Sequence, residues 1–440
     1  MPLTKVSAGV IAANAVVDSF GTQSITGDKL GLTAINANNI VGGAVTGDKL
    51  GATSINANNI VGGTITTTQI ASNTISNTNI QTGAIENYSR ATGLLSGMRN
   101  RIINGAMVIN QRGFSGTPAN GDYTLDRWFA LITQSSKFTV SQNAGSVTPP
   151  VGFTNYLGCT SSSAYSVGAS DYFIMYQYIE GFNTADLGWG TANAKTVTLS
   201  FQVYSSLTGT FGGSLINNDN NRSYPFTYTV SSANTWTPVS ITIAGDTTGT
   251  WVGATNGVGI KVGFGLGAGS TVSGTAGAWA GTEYRSATGA TSVVGTNGAT
   301  FYITGVQLEV GSTATSFDYR PYGTEFQLCQ RYFYKNICGT GGDTPTPLSP
   351  MGWAYSGANV YVPVIFPQPM RATPTLSRNG CQVYNPLVGG VNLTNASLYD
   401  ASNISGNIGT QSASGITTNY GYWIGPSTVA TSFIAFSAEL

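Results

Sequence analysis

A large apolar residue recurs at every fifth position near the N-terminus: Phe20, Ile25, Leu30, Ile35, Ile40, Val45, Leu50, Ile55, Ile60, Ile65, Ile70, Ile75, Ile80 and Ile85. A step of five fits neither regular element. Around an α-helix it advances about 500°, leaving successive side chains some 140° apart, and along a strand an odd step flips the face. The backbone therefore has to turn within each step. Asn38, Asn39, Gly42 and Gly43, with their copies Asn58, Asn59, Gly62 and Gly63, supply residues suited to φ > 0 corners. A longer unit overlies the short one: residues 27–46 and 47–66 agree at sixteen of twenty positions.

Two architectures satisfy this pattern. One chain can coil into a solenoid about an apolar column, or several chains can wind about a common axis and each give it every fifth residue. Four aliphatic side chains per unit do not offset the entropy of ordering twenty residues, so neighbouring coils or other chains must share the core. The pentapeptide-repeat family resembles the first arrangement, but it keeps a small residue two before the large one. Here those positions are Asp28, Thr33, Asn38, Gly43, Asp48, Thr53, Asn58, Gly63 and Asn73. Carboxylates at 28 and 48 inside a narrow coil would be costly. The expectation is an intertwined multi-chain β shaft over residues 1–90, with Ile25 to Ile85 as its core. A flexible linker has no reason to hold these residues in phase.

Charge narrows the function. Charged residues make up 8% of the chain, against about 25% in an average soluble protein. The 18 basic and 18 acidic side chains cancel, so neither nucleic acid nor an anionic membrane is implied as a partner. No stretch is apolar enough for membrane insertion. There is no histidine, which removes the usual general base and the commonest metal ligand. Cys159, Cys329, Cys338 and Cys381 are too scattered for a disulfide framework and read as free thiols, which suits a reducing cytoplasm. Cys329 and Cys338 lack histidines for a zinc site, and no cofactor is expected. Paired carboxylates about 5 to 10 Å apart can cleave a polysaccharide without histidine. Of the glutamates, Glu283 beside Tyr284 and Arg285 is the best single acid, but no partner can be chosen for it. The expectation is a non-enzyme.

Beyond the repeat the period changes to two. Val197, Leu199, Phe201 and Val203 alternate with polar residues, as do Ile260, Val262, Phe264 and Leu266. Val239, Ile241 and Ile243 follow, then Phe301 and Ile303, then Val306, Leu308 and Val310. One-sided strands separated by Gly, Asn and Ser indicate an antiparallel sandwich, assigned to residues 91–322. Within it Asp126, Arg127 and Trp128 could form a sugar clamp, but Trp128 sits in an apolar run and reads as core; Gln307 and Glu309 read as a solvated face, and Asp318 to Tyr322 as a rigid interdomain turn in which Asp318 can pair with Arg320. Residues 323–440 form a smaller β tip domain. Phe326, Leu328, Cys329, Tyr332 and Phe333 fit a helical turn or the start of a strand. Val360, Val362, Val364 and Phe366 alternate, with Pro363 and Pro367 arguing for an edge strand. Trp353, Tyr355, Tyr361, Tyr420, Tyr422 and Trp423 lie among Gly, Ser and Asn. Flat rings beside neutral amides and hydroxyls suit sugars, which makes these six the receptor-binding candidates. The competing assignment is core or subunit interface.

Several segments carry a family resemblance. RNRIINGAMVINQRG at 99–113 and NGDYTLDRWFA at 120–130 resemble the start of a jelly-roll domain of bacteriophage tail fibres. ITGVQLEVGSTATSFDYRPYGTEFQLCQRYFYK at 303–335 resembles its end, and FPQPMRATPTL at 366–376 the middle of the domain after it. The repeat is similar to the shafts of the same proteins. The resemblance implies an all-β homotrimer in the virion, assembled in the host cytoplasm. Its N-terminus would attach to a tail or adaptor protein and its tip would meet a host polysaccharide, lipopolysaccharide or capsule. The expected function is non-enzymatic adhesion. A tailspike-type depolymerase and a purely structural fibre component are the alternatives.

Overall fold

A computed structural model of the chain describes residues 98–337, 349–393, 395–410, 415–427 and 432–440. The five-residue repeat with its expected core, Ile25 to Ile85, lies outside them, as does Cys338. Residues 93–440 form one compact unit.

Two six-stranded antiparallel sheets face each other. The first runs β1 (Ser115–Gly116), β4 (Phe138–Gln142), β5 (Leu157–Ser161), β14 (Thr300–Val310), β7 (Val197–Ser205) and β10 (Thr237–Ile243). The second runs β2 (Tyr123–Leu125), β3 (Trp128–Ile132), β6 (Tyr172–Glu180), β11 (Val258–Ala268), β8 (Gly209–Ile216) and β9 (Ser223–Val230). The chain crosses between the sheets at β1–β2, β3–β4, β5–β6, β6–β7, β7–β8, β9–β10, β10–β11 and on its way from β11 to β14, as a jelly-roll sandwich requires. Val197, Leu199, Phe201 and Val203 point inward from one sheet and Ile260, Val262, Phe264 and Leu266 from the other, all buried. Phe201 meets Phe264 edge to face with ring centroids 5.0 Å apart. Trp128 is fully buried beside Phe264, a core residue as its apolar neighbours indicate. A short parallel pair, β12 (Ser273–Gly274) with β13 (Ser286–Ala287), completes this part.

The two alternating series 301–303 and 306–310 belong to one strand. Between Thr304 and Gln307 the register of β14 against β7 slips, and Gly305 at φ +63° takes up the extra residue. A β-carbon there would also lie 2.6 Å from the Phe153 ring. The bulge thus accounts for the change of apolar phase that the sequence shows.

The next segment is helical, α1 (Tyr322–Gln330), followed by a three-stranded sheet of β15 (Phe333–Ile337), β24 (Phe433–Ser437) and β18 (Thr375–Asn379). A seven-stranded antiparallel sheet has the order β20 (Gly389–Asn392), β19 (Cys381–Asn385), β23 (Gly421–Pro426), β16 (Gly352–Ser356), β17 (Asn359–Ile365), β22 (Ser405–Thr410) and β21 (Ala396–Tyr399). Val360, Val362, Val364 and Phe366 point into a separate core with Tyr422, Ile424 and Phe436. The edge position expected from Pro363 is not found, because β17 lies between β16 and β22. Pro363 pairs with Asn407, while the ladder to β16 stops at Tyr361 and leaves the other side of Pro363 without a strand partner. The proline therefore occupies a local edge within an interior strand.

The two cores are joined by a buried polar seam built from the 99–113 segment. Asn104 donates its amide to the carbonyls of Ile109 (2.8 Å) and Asp126 (3.0 Å), and Gln111 donates from backbone and side chain to the Asp126 carboxylate (2.7 and 2.6 Å). Arg127 lies 3.6 Å beneath the Tyr332 ring and pairs with Glu439, which also takes Arg112 at 3.0 Å. Glu180 accepts from Arg331 (2.8 and 2.5 Å) and from the Tyr332 hydroxyl (2.6 Å). Arg371 donates to the carbonyls of Ala438 and Glu439, both at 2.7 Å.

Two expectations are corrected here. Gln307 and Glu309 are buried rather than solvated: Gln307 accepts from the Asp318 N–H (2.8 Å), and Glu309 accepts from the backbone and hydroxyl of Thr315 (2.8 and 2.7 Å). They pin the 311–318 segment over the sheet. Arg320 pairs with Glu325 (3.1 Å) instead of Asp318, whose carboxylate accepts from the Asn100 N–H (3.2 Å). Cys159, Cys329 and Cys381 are buried thiols in no disulfide among the described residues; Cys381 donates to the carbonyls of Asn379 (3.3 Å) and Phe433 (3.0 Å), and burial pushes the Cys159 and Cys329 thiols up.

Candidate glycan-binding face

Alternation in the seven-stranded sheet turns one set of side chains inward and leaves a row of rings on the other face. On β16 Ala354 is buried while Trp353 and Tyr355 point out, 55% and 53% exposed. The hairpin to β17 brings Tyr361 opposite Trp353. Tyr355 stacks on Tyr361 with centroids 5.4 Å apart and planes 8° from parallel. Tyr399 of β21 meets Tyr361 edge-on at 5.5 Å and 89°. Both Tyr361 and Tyr399 lean over Gly409 of β22, where a β-carbon would come within 2.8 Å and 2.6 Å of their rings. The glycine is the seat of the cluster.

The row continues across the sheet. Trp353 lies opposite Gly421 of β23, and on the far side Trp423 is opposite Tyr384 of β19 with ring centroids 5.4 Å apart. Gly409 lies beneath the Tyr361 and Tyr399 rings and Gly421 beneath the Met351 side chain, so the small positions let larger neighbours fold over the sheet. Such a surface offers flat apolar area for C–H faces and nearby amides and hydroxyls for polar groups. With its amide oriented to satisfy both ends, Asn359 donates to the Thr410 carbonyl (3.0 Å) and accepts from the Tyr355 hydroxyl (3.2 Å), which fixes the edge of the patch. A hydrogen bond with Tyr355, with help from desolvation and the Tyr355 charge, raises the Tyr361 hydroxyl above its ordinary pKa, so it stays neutral.

The structure thus brings Trp353, Tyr355, Tyr361 and Trp423 onto one face and sets Tyr420, 38% exposed, in the turn leading into β23. Tyr422 is a correction. It alternates with Trp423, faces inward, is fully buried, and its hydroxyl accepts from the Thr417 N–H at 2.9 Å. Tyr384 and Tyr399 join the face although neither is among the six candidates chosen from sequence. The signal for Tyr384 was present: Cys381, Val383 and Asn385 are buried and Gln382 and Tyr384 alternate with them. For Tyr399 the four-residue β21 is too short to show a phase.

The glutamates of the described residues are engaged elsewhere. Glu283 pairs with Arg285 at 2.7 Å, and that guanidinium lies 4.2 Å over the Tyr172 ring on the outer face of the second sandwich sheet. Glu180, Glu309, Glu325 and Glu439 hold the seam and the 311–318 segment.

No protein-family model matches the sequence, and no curated protein matches it. Among solved structures, 48% of the chain is similar to the enzymatically active domain of tailspike protein 4 of bacteriophage CBA120, with 11% identity and a TM-score of 0.29, spanning 22% of that chain. A family 11 carbohydrate-binding module from Clostridium thermocellum, in complex with a mixed-linked tetrasaccharide, is similar over 46% of the chain and 98% of its own length, with 10% identity and a TM-score of 0.24. The module TmCBM61, in complex with β-1,4-galactotriose, is similar over 48% of the chain and 99% of its own, with 10% identity and a TM-score of 0.26. At these scores the likenesses carry no inference about function.

Proposed function

We propose that the chain is a bacteriophage tail fibre, a non-enzymatic adhesin that attaches the virion to a host-surface glycan. The observation that carries this reading is the neutral aromatic row of Trp353, Tyr355, Tyr361, Tyr399, Tyr384 and Trp423 on one open face. The quoted tail-fibre segments support the same assignment. Each site would be weak, and repetition in a homotrimer and around the virion would supply the avidity. The 1–90 repeat is assigned as the shaft that spaces the face from the particle, and its N-terminus as the attachment point to a tail or adaptor protein.

The test is to incubate the purified full chain with host cells and with isolated lipopolysaccharide and capsule. Cell labelling that Trp353→Ala with Tyr361→Ala sharply weakens, without new reducing ends or unsaturated products, is the expected outcome. Released oligosaccharide would replace adhesion with depolymerisation. Absence of labelling would leave a structural fibre component. Light scattering that gives a single-chain mass would refute the trimer.

A further inference from the structure

A groove of about 380 Å³ opens on the outer face of the first sandwich sheet, away from the seven-stranded sheet's rings. Its floor is Ser200 and Gln202, which alternate with the buried Leu199, Phe201 and Val203 and so face outward from β7. Neither side chain has a hydrogen-bond partner among the described residues. One wall is an aromatic triad: Phe153, Phe317 and Tyr319, with centroids 5.1, 5.4 and 4.8 Å apart. Tyr319 is 55% exposed.

The wall is held in place from behind. Phe153 sits on the Gly305 bulge, the Tyr319 hydroxyl donates to the Gly152 carbonyl, and Gln307 ties down the Asp318 backbone. None of the side chains lining the groove is charged. A second cavity of about 240 Å³ lies on the other side of the same wall, where the charged groups Asp318, Arg320 and Glu325 are already paired. The groove therefore combines a rigid aromatic wall, two unpaired neutral hydrogen-bonding side chains and a volume within the range of small-ligand sites, about 300 to 1,000 Å³.

We propose that this groove is a second binding site, for a neutral saccharide. Gln202 and Ser200 hydrogen-bond to its hydroxyls, and Tyr319 and Phe317 pack on its C–H face. An anionic sugar has no cation to meet here, and a purely apolar ligand would leave the Gln202 amide unsatisfied. The site extends the glycan-binding reading to different residues and stands independently of the aromatic row.

The experiment uses the full chain on an array of neutral and uronic-acid-containing bacterial oligosaccharides, followed by calorimetric titration of the neutral oligosaccharide that binds best. Gln202→Ala and Tyr319→Ala are each expected to weaken binding about three- to tenfold, also in a Trp353→Ala/Tyr361→Ala background. Gln202 lies on the outer face of β7 rather than in the core, so Gln202→Ala keeps the test valid if Tyr319→Ala lowers stability. Binding of acidic glycans only, unchanged affinity in both variants, or a changed oligomer mass in Gln202→Ala would overturn the proposal, the last by identifying a second copy of the chain as the occupant. Binding lost in the Trp353→Ala/Tyr361→Ala protein but untouched by the groove variants would sink this site and leave the aromatic row. The converse result would sink the row and leave the groove.

Discussion

Replacing Glu439 by Gln removes one negative charge from the seam at nearly constant volume. The wild-type carboxylate takes Arg112 at 3.0 Å and Arg127, with side-chain exposures of 6% for Glu439, 13% for Arg112 and 1% for Arg127. Burial works against the Arg127 charge, but Glu439, Tyr332 and Tyr123 overcome it and hold the guanidinium above its ordinary pKa. In the variant Arg127 keeps the Tyr178 carbonyl and the Tyr332 ring, and nothing anionic touches it. Arg112 retains Asp126 at 3.9 Å and the Phe333 ring at 3.6 Å, so its loss is smaller. The new amide also turns two N–H donors toward two arginines. Breaking a buried pair from one side costs about 3 to 5 kcal/mol, because a charge is left in low dielectric without its partner. At about 2 °C per kcal/mol for a unit of this size, the melting temperature should fall by about 6 to 10 °C. Calorimetry of the full chain, with glycan binding measured below the transition, is the assay. Arg127→Leu combined with Glu439→Leu should recover much of the loss, since removing both charges leaves no orphan. A Glu439→Gln protein melting within about 1 °C of wild type would refute the account of the seam.

Trp353→Ala should weaken glycan binding about tenfold per site while leaving the melting temperature unchanged within about 1 °C, because the ring is exposed and its loss opens no core; surface plasmon resonance and calorimetry check it. Gly409→Ala should displace the Tyr361 and Tyr399 rings and remove binding at the aromatic row without unfolding the sheet, seen as lowered affinity with retained near-native circular dichroism. Glu180 is held below its ordinary pKa, burial being outweighed by its hydrogen bonds to Arg331 and Tyr332. A depressed folded pKa contributes stability that is complete above the unfolded value of about 4.3 and is lost as pH falls through the folded one. Urea midpoints should therefore drop more steeply below pH 4 in wild type than in Glu180→Gln. On the proposed multi-chain shaft, Ile55→Asp should leave single chains by light scattering, because a carboxylate would have to enter its apolar axis.

The sandwich was legible because its long strands are amphipathic with period two. Nine residues of β7 and eleven of β11 give an unambiguous phase, and the core side chains named from them are the buried ones. What escaped was decided by features with no period. The bulge at Gly305 splits one strand into two apparent series, and Gln307 and Glu309 are polar on a face that a loop from 311 to 318 later covers. Alternation gives only which face a residue takes; it cannot say what lies over that face. The same limit explains the receptor candidates. Trp353, Tyr355 and Tyr361 alternate with the buried Ala354, Val360 and Val362, so the sequence phase puts them on the outer face, whereas adjacent Tyr422 and Trp423 must face opposite ways, and only the buried neighbour Ile424 shows which one is inside.

The segments that carry the tail-fibre resemblance are spent largely on the interior. Asn104, Gln111 and Arg112 come from the 99–113 segment, Asp126 and Arg127 from the next, Gln307, Glu309, Arg320, Glu325 and Arg331 from 303–335, and Arg371 from 366–376. Each makes a hydrogen bond or ion pair at the seam or beneath the 311–318 segment. Such interactions fix how the sandwich is joined to the C-terminal sheets, and their geometry is indifferent to any ligand met on the outer surface. The rings of the open face lie in none of those segments, and of the groove's lining only Gly305, Thr315, Ser316, Phe317 and Tyr319 do. A resemblance carried by the seam therefore reports architecture. Specificity has to be sought in side chains such as Trp353, Tyr361, Ser200 and Gln202, which can change without disturbing a single buried charge.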